Sequence, residues 1–368
     1  MNVFSIIYLL GATQGFLLVF VLSLRKTNVE SNRTLALLLG LFSINLFNLA
    51  VREYMPGGFS LLTAPFSMLY GPLMWIYVSS LTHRFDNRKK RLILLHFLPF
   101  FAAIFMYSPF FPGNPADYRM AVLGFKILQY ASYLTASLIV LHKHESFIRD
   151  FFSDVGALTL QWLRIMIIID FISLSIVTVL MIFHVLNIYD ISQNPVVSRV
   201  TFILSSLVIY IIGYFSMKQP EIRQVENKNQ KSEDLTVKYE KSKIDDIILS
   251  AYMKELTNIM ENNKPYLNQD LTLKELADAI SLSYHELSQV INAGFDQNFY
   301  NFVNTYRIKE AESILSDPEK NDEKILSVAY DSGFKNKSNF NTFFKKSTKM
   351  TPSEYRKKQN SENISVAV

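Results

Sequence analysis

Seven long apolar blocks crowd the first 217 of the chain's 368 residues, and they restrict this half more than any other feature does. Crossing the hydrocarbon core of a bilayer takes about 20 largely apolar residues. Backbone groups immersed there must bond within their own segment, which leaves helices as the natural solution. The blocks run Val3 to Leu24, Thr34 to Val51, Leu62 to Leu81, Leu92 to Ser108, Ala121 to Leu141, Trp162 to Leu186 and Val196 to Met217. The fourth is the shortest and contains Pro99. Beyond Met217 the composition turns polar and charged.

Loop charge orients such a bundle, because cytoplasmic loops are enriched in Lys and Arg. The first loop carries Arg25, Lys26 and Arg33, the third Arg84, Arg88, Lys89, Lys90 and Arg91, and the fifth Lys143, Arg149 and Arg164. The alternate loops hold only Arg52, Arg119 and Arg199. Seven spans with this bias place the N terminus outside and the polar half in the cytoplasm of a bacterial cell, with the bundle in its inner membrane. Met1-Asn2-Val3 supplies no basic n-region and no small-residue cleavage site follows, so the first block is expected to be a retained span.

Polar side chains inside spans are costly and face a bundle interior or a cavity. Asn45, Asn48 and Arg52 share one face of the second block, while Ser67, Tyr70, Lys126, Gln129 and His184 lie at similar outer depth. Together they outline a candidate ligand pocket open to the outside; interhelical hydrogen bonds are the alternative reading. Asp170 lies deeper, as an ion or proton site or as a carboxylate paired with a neighbouring helix. No lysine sits centrally in the seventh block, which argues against a retinal Schiff base, and no repeat of broken helices suggests a transporter.

Residues 218–243 read as a polar cytoplasmic linker, and 244–262 as an amphipathic helix with Ile244, Ile247, Ile248, Ala251, Ile259 and Met260 on one stripe. That stripe is read either as packing on the next domain or as a self-association surface. The absence of cysteine removes disulfides, thiolate metal sites and cysteine nucleophiles. No metal-ligand spacing, phosphate loop or nucleophile elbow is present, so neither an enzyme nor a cofactor is expected; His83, His96 and His142 read as interfacial or structural.

Residues 263–360 are punctuated like a compact helical domain. Thr272 with Glu275 and Ser283 with Glu286 each form the sequence pattern of a capping box. Two short helices joined through Ala279-Ile280-Ser281-Leu282, with Leu276, Ile280, Leu287 and Ile291 inside, predict a helix-turn-helix. Its second helix would expose Tyr284, His285, Ser288, Gln289 and Asn292. A longer helix from Phe299 to Leu315 directs Phe302, Tyr306, Ile308, Ala311 and Leu315 inward. The pattern then repeats, with Ile325 to Tyr330 as a first helix, Ser332-Gly333-Phe334 as the turn and Ser338 to Ser347 as a second helix on Phe340, Phe343 and Phe344.

The run Ile325-Leu326-Ser327-Val328-Ala329, then Gly333-Phe334, Ser338-Asn339-Phe340, Phe344-Lys345-Lys346 and Thr351-Pro352-Ser353-Glu354-Tyr355-Arg356, resembles the signature of the AraC/XylS family of bacterial transcription regulators. The resemblance covers Leu271 to Lys358 and departs from the pattern at Lys349, where a glycine is usual. It implies sequence-specific binding to double-stranded DNA, with both second helices in successive major-groove segments. On this basis Asn336, Lys337, Ser338, Asn341 and Thr342 are expected near bases and adjoining phosphates, and Lys345, Lys346 and Arg356 near phosphates. Each lysine can equally be an ordinary solvated face. Lys335 to Lys358 holds eight basic residues against one acid, whereas Leu271 to Leu315 holds three against six, so the second unit should supply most phosphate attraction.

The expected fold is therefore all-α: a seven-helix transmembrane domain over 1–217 and an AraC-type double helix-turn-helix domain over 263–360, followed by a tail over 361–368. The expected function is a membrane-bound transcription regulator whose bundle senses a signal. A membrane-tethered adaptor, with a helix-turn-helix that binds protein, is the alternative. Expected partners are double-stranded DNA and the lipid bilayer, with RNA polymerase, a second copy of the chain and an unidentified sensed ligand as candidates.

Overall fold

A computed structural model of the chain describes residues 3–51, 54, 64–82, 93–106, 115–156, 158–186, 211–218 and 245–366. The chain divides into two units: Met1–His144 with Leu160–Arg223, and Glu145–Thr159 with Gln224–Val368. The linker read at 218–243 lies almost wholly outside the described residues.

The first unit contains α1 (Val3–Leu24), α2 (Val29–Val51), α3 (Ser67–Leu81), α4 (Leu98–Met106), most of α5 (Pro115–Phe151) and α6 (Gln161–Val185). Asn28 turns the chain between α1 and α2 at φ 48°, a conformation that asparagine tolerates better than most residues. Asn32 Nδ2 closes that turn on the Thr27 carbonyl at 2.6 Å. Leu35, Leu46, Leu134, Leu141, Leu163 and Ile167 form the buried core. Tyr133 lies so close to Gly71 that a Cβ there would stand 2.9 Å from its ring, so only glycine permits the approach.

Phe20, Leu128, Ile172 and Ile182 are more than half exposed or nearly so, and water would penalise such an outward apolar surface. Four helical stretches are long and apolar enough to cross a membrane: Val3–Leu24, Val29–Val51, Ala121–Phe151 and Gln161–Leu180. Four among the described residues stand where the sequence reading expected seven. The third block yields only the 15 residues of α3, led in by a 3-10 turn at Ala64–Phe66. The fourth yields a 3-10 stretch over 93–97 that runs into the nine residues of α4, with Pro99 in the first turn, where proline is tolerated. Most of the seventh lies outside the described residues, although 211–218 are helical.

The second unit contains α7 (Asp246–Asn262), α8 (Leu273–Ala279), α9 (Tyr284–Phe295), α10 (Phe299–Ser316), α11 (Ile325–Asp331), α12 (Lys337–Thr348) and α13 (Pro352–Val366), together with segment 145–159. Two apolar clusters share α10. Its first half, through Phe299, Phe302 and Val303, joins Leu276, Leu287, Val290 and Ile291. Its second half, through Ile308, Ala311 and Leu315, joins Val328, Phe334, Phe340 and Phe344. One helix thus belongs to both cores and ties the two helix-turn-helix units together.

α7 packs on the first cluster through Leu256 and Met260, with Leu249, Tyr252 and Met253 beside them. Ile259 and Met260 of the stripe read in the sequence pack on this cluster, whereas Ile247 is 79% exposed, Ile248 is 49% exposed and Ala251 is also exposed, so the first half of that stripe faces outward. Met253 and Gly294 decide the register, since a Cβ at Gly294 would stand 2.6 Å from the Met253 sulfur.

Candidate nucleic-acid interface

The second helices of the two helix-turn-helix units, α9 and α12, are launched by one local device used twice. α8 ends with Ser281 in the left-handed conformation at φ 55°, and α11 ends at the equivalent Gly333 at φ 89°. In each, the next amide reaches back to the helix: Leu282 N–H donates to Ala277 O at 3.0 Å and Phe334 N–H to Ala329 O at 2.9 Å. These are Schellman closures, and they drive Leu282 and Phe334 inward as plugs. Gly333 has no substitute, because a Cβ would fall 2.3 Å from the Tyr266 carbonyl oxygen.

Side-chain caps then open α9 and α12. Ser283 Oγ accepts from Glu286 N–H at 3.2 Å while the Glu286 carboxylate accepts from Ser283 N–H at 2.9 Å. The Ser283 hydroxyl also donates to the Glu286 carboxylate at 2.7 Å, and this bond, with the one from Ser283 N–H, holds the Glu286 carboxyl below its ordinary pKa. Asn336 Oδ1 accepts from Asn339 N–H at 2.8 Å at the start of α12. Asn336 is therefore spent as an N-cap, with its side chain fixed at the helix mouth.

On α12, Lys337, Ser338, Thr342, Lys345 and Lys346 are exposed, as a surface offered to a polyanion requires. Asn341 is half-buried, and its Oδ1 is shielded without a hydrogen-bond partner among the described residues. Arg356 departs from expectation. Its Nη1 donates to Asn321 O at 3.0 Å and to Glu323 O at 2.6 Å, and Nε and Nη2 are shielded from solvent. Its guanidinium ties α13 to the loop before α11 instead of facing outward to a phosphate, because Arg356 sits on the α13 face turned toward that loop.

On α9, Asn292 is exposed and its amide donates to Ser288 Oγ at 3.3 Å; Gln289 and Ser288 are half-buried. The His285 and Tyr284 rings lie with centroids 3.9 Å apart, tilted by 38°, and His285 Nε2 is buried with no partner among the described residues. Burial lowers the His285 pKa, which keeps the ring neutral at pH 7. Tyr284 packs against Phe151, with ring centroids 5.8 Å apart.

That last contact introduces residues the sequence reading missed. Segment 145–159 is part of this unit. Phe152 bridges Thr272, and Ser153 N–H and Oγ both donate to Leu271 O, at 3.2 and 2.7 Å. Arg307, fully buried in α10, donates Nη1 to Ser153 O at 3.2 Å and Nη2 to Ser153 Oγ at 3.0 Å. Its other bonds go to Tyr266 O and Asn268 O, each at 2.8 Å, and to Asn304 Oδ1 at 3.3 Å. Desolvation brings the Arg307 pKa down to about 10, so it stays charged at neutral pH. Asp154 Oδ1 accepts from Asn339 Nδ2 at 3.0 Å. Only the turn-forming run Ser153-Asp154-Val155-Gly156 between apolar residues hints at an ordered loop, and nothing local names its partner.

In the first unit, the expected pocket residues are joined by bonds among themselves and their neighbours. Asn45 Nδ2 donates to Tyr70 OH at 3.0 Å, and Gln129 Nε2 to Met68 O at 3.3 Å. Asn48 is buried. Ser67 and Lys126 also engage neighbours. Arg52 and the His184 side chain lie outside the described residues. Asp170 Oδ2 accepts from Tyr130 OH at 2.6 Å, the interhelical pairing between α5 and α6 that is one of its two readings. Among the described residues no cluster of His, Asp or Glu fits a metal ion.

Residues 276–358 match the family described as helix-turn-helix domain. An uncharacterised HTH-type transcriptional regulator of Staphylococcus aureus (strain COL) is 33% identical over 91 residues, 25% of this chain and 12% of its own length. A counterpart from strain N315 gives the same figures. The HTH-type transcriptional activator RhaS of Mannheimia succiniciproducens is 30% identical over 103 residues, 28% of this chain and 36% of its own length. The chain thus spans about an eighth to about a third of these relatives. No solved structure matches it. Twin capped turns on a shared central helix, together with these similarities, identify the C-terminal part of the chain as a helix-turn-helix domain of AraC type.

Proposed function

We propose that this protein is a membrane-bound, sequence-specific DNA-binding transcription regulator, whose membrane unit senses a signal and whose α9 and α12 read successive major grooves. The observation that carries the reading is the exposed, basic outer face of α12, set on a domain of AraC type. Lys337, Lys345 and Lys346 supply phosphate attraction, and Ser338, Asn341 and Thr342 stand where base edges would be met. Tyr284, His285, Ser288, Gln289 and Asn292 take the corresponding places in the first helix-turn-helix. Asn292 is the most open of these, while Tyr284 and His285 are turned toward their neighbours.

Placement in the bacterial inner membrane, with the DNA-binding domain in the cytoplasm, is supported by four span-length apolar helices and by the alternating loop charge. Sensing is supported by covalent continuity: α5 begins in the first unit and its last seven residues, 145–151, belong to the second. RNA polymerase and a second copy of the chain are its proposed further partners. The test is binding of the full chain in lipid nanodiscs to genomic DNA fragments across a salt series. Selective binding that weakens as salt rises supports the regulator. Salt-independent capture of a protein, with no affinity for DNA, supports the adaptor.

A further inference from the structure

Segment 145–159 touches the starting turns of both reading helices at once. Phe151 lies against Tyr284, the first residue of α9. Asp154 accepts from Asn339 in the first turn of α12. A Cβ at Gly156 would stand 3.3 Å from Asn339 Nδ2 and 3.6 Å from that of Asn336, the α12 N-cap. Reading helices of this class present their N-terminal residues to base edges and nearby phosphates. The segment therefore occupies the ends that DNA must approach, and it brings a carboxylate to one of them.

We infer that the Asp154–Gly156 turn of this segment is an intramolecular competitor of DNA, seated on the start of α12 and displaced when the domain engages its operator. The inference rests on the DNA-binding reading above. Three features suit a removable seat. It meets α12 through the Asn339–Asp154 side-chain hydrogen bond, at a half-exposed site. Ser153 stays bonded to Arg307 and to Leu271 O, so the turn that follows it can leave α12 without opening the core. Asp154 repels a phosphate on the same turn and favours the partial positive charge of a helix N-terminus, so its seat and DNA exclude each other. Because the segment continues from α5, any change that draws α5 away shifts the balance toward DNA.

The chain has no cysteine, so Gly156→Cys with Asn339→Cys introduces the only thiol pair. The full-length variant in lipid nanodiscs is titrated with the DNA fragment that wild type binds most tightly, oxidised and then reduced, with Asn339→Cys alone as control. Disulfide closure with at least about a tenfold loss of affinity, restored by reductant, is expected. Asp154→Ala is expected to bind several-fold more tightly than wild type. Failure of the pair to cross-link, equal affinity in both redox states, or weaker binding by Asp154→Ala each overturns the proposal. If wild type and the reduced variant show no selective DNA binding, the regulator reading itself has failed, and the competitor falls with it.

Discussion

Arg307 and Ser153, 154 positions apart in the chain, meet in the interior of the second unit, where the guanidinium donates to both the carbonyl and the hydroxyl of the serine. The loop residue thereby becomes part of the domain's core. A fragment holding only the C-terminal residues would lack it and leave one edge of a buried cation unsatisfied.

Removing that cation should be severe. Arg307→Met strips donors from the carbonyls of Tyr266, Asn268 and Ser153, and each buried acceptor left unsatisfied costs about 1–3 kcal/mol. Thermal or denaturant unfolding of the second unit is the measurement. Arg307→Lys is expected to recover only part of the loss, since one ammonium cannot reach all the acceptors of the fork. A variant as stable as wild type would show that the network is dispensable.

Two of the left-handed residues at helix ends, Lys349 and Gly333, predict opposite outcomes for glycine exchange. Lys349 adopts φ 63° as the C-cap of α12, where a side chain costs about 1 kcal/mol relative to glycine, so Lys349→Gly should raise the melting temperature. Gly333→Ala should lower stability by more than that, because its Cβ would collide with the Tyr266 carbonyl.

Lys345 and Arg356 separate affinity from architecture. Lys345→Ala should weaken DNA binding evenly across sequences and reduce the salt slope by about 1. Arg356→Ala should instead lower the unfolding midpoint, because its guanidinium binds the Asn321 and Glu323 carbonyls. A salt slope reduced as much by Arg356→Ala as by Lys345→Ala would return that arginine to the phosphate-binding set.

Glu286 gives a pH dependence. Its carboxyl is held below the ordinary 4.5 by hydrogen bonds from Ser283. A carboxyl depressed in the folded state adds stability above its unfolded pKa and loses it as pH falls through the folded pKa. Stability of the first helix-turn-helix should therefore decline below pH 4.5. Glu286→Gln should flatten that part of the curve. Ser283→Ala should cost about 1 kcal/mol at neutral pH, as loss of an N-cap does.

Much of the second unit is written in short-range signals. Thr272 with Glu275, Ser283 with Glu286, and Gly333 each act within a few residues, so capping boxes and turns are legible before any fold is known. The apolar blocks are equally local, because hydropathy needs no partner to be recognised. Helix length is less legible, since the 3-10 stretches at Ala64 and over 93–97 shorten elements that composition alone would extend. The α7 stripe is ambiguous in the sequence because Leu249 and Leu256 compete with Ile247 and Ile248 for one face, and only the position of α9 decides which face is buried. Arg356 looks like any basic residue in a basic run until the carbonyls of Asn321 and Glu323 are brought beneath it.

The seat of Ser153 and Asp154 lies furthest from what sequence alone determines. Hydrogen-bond partners 118 to 185 residues away leave no trace in periodicity or capping. They exist only once α8, α10 and α12 are packed, because a desolvated guanidinium and the opening turn of a helix must converge before one loop can satisfy both.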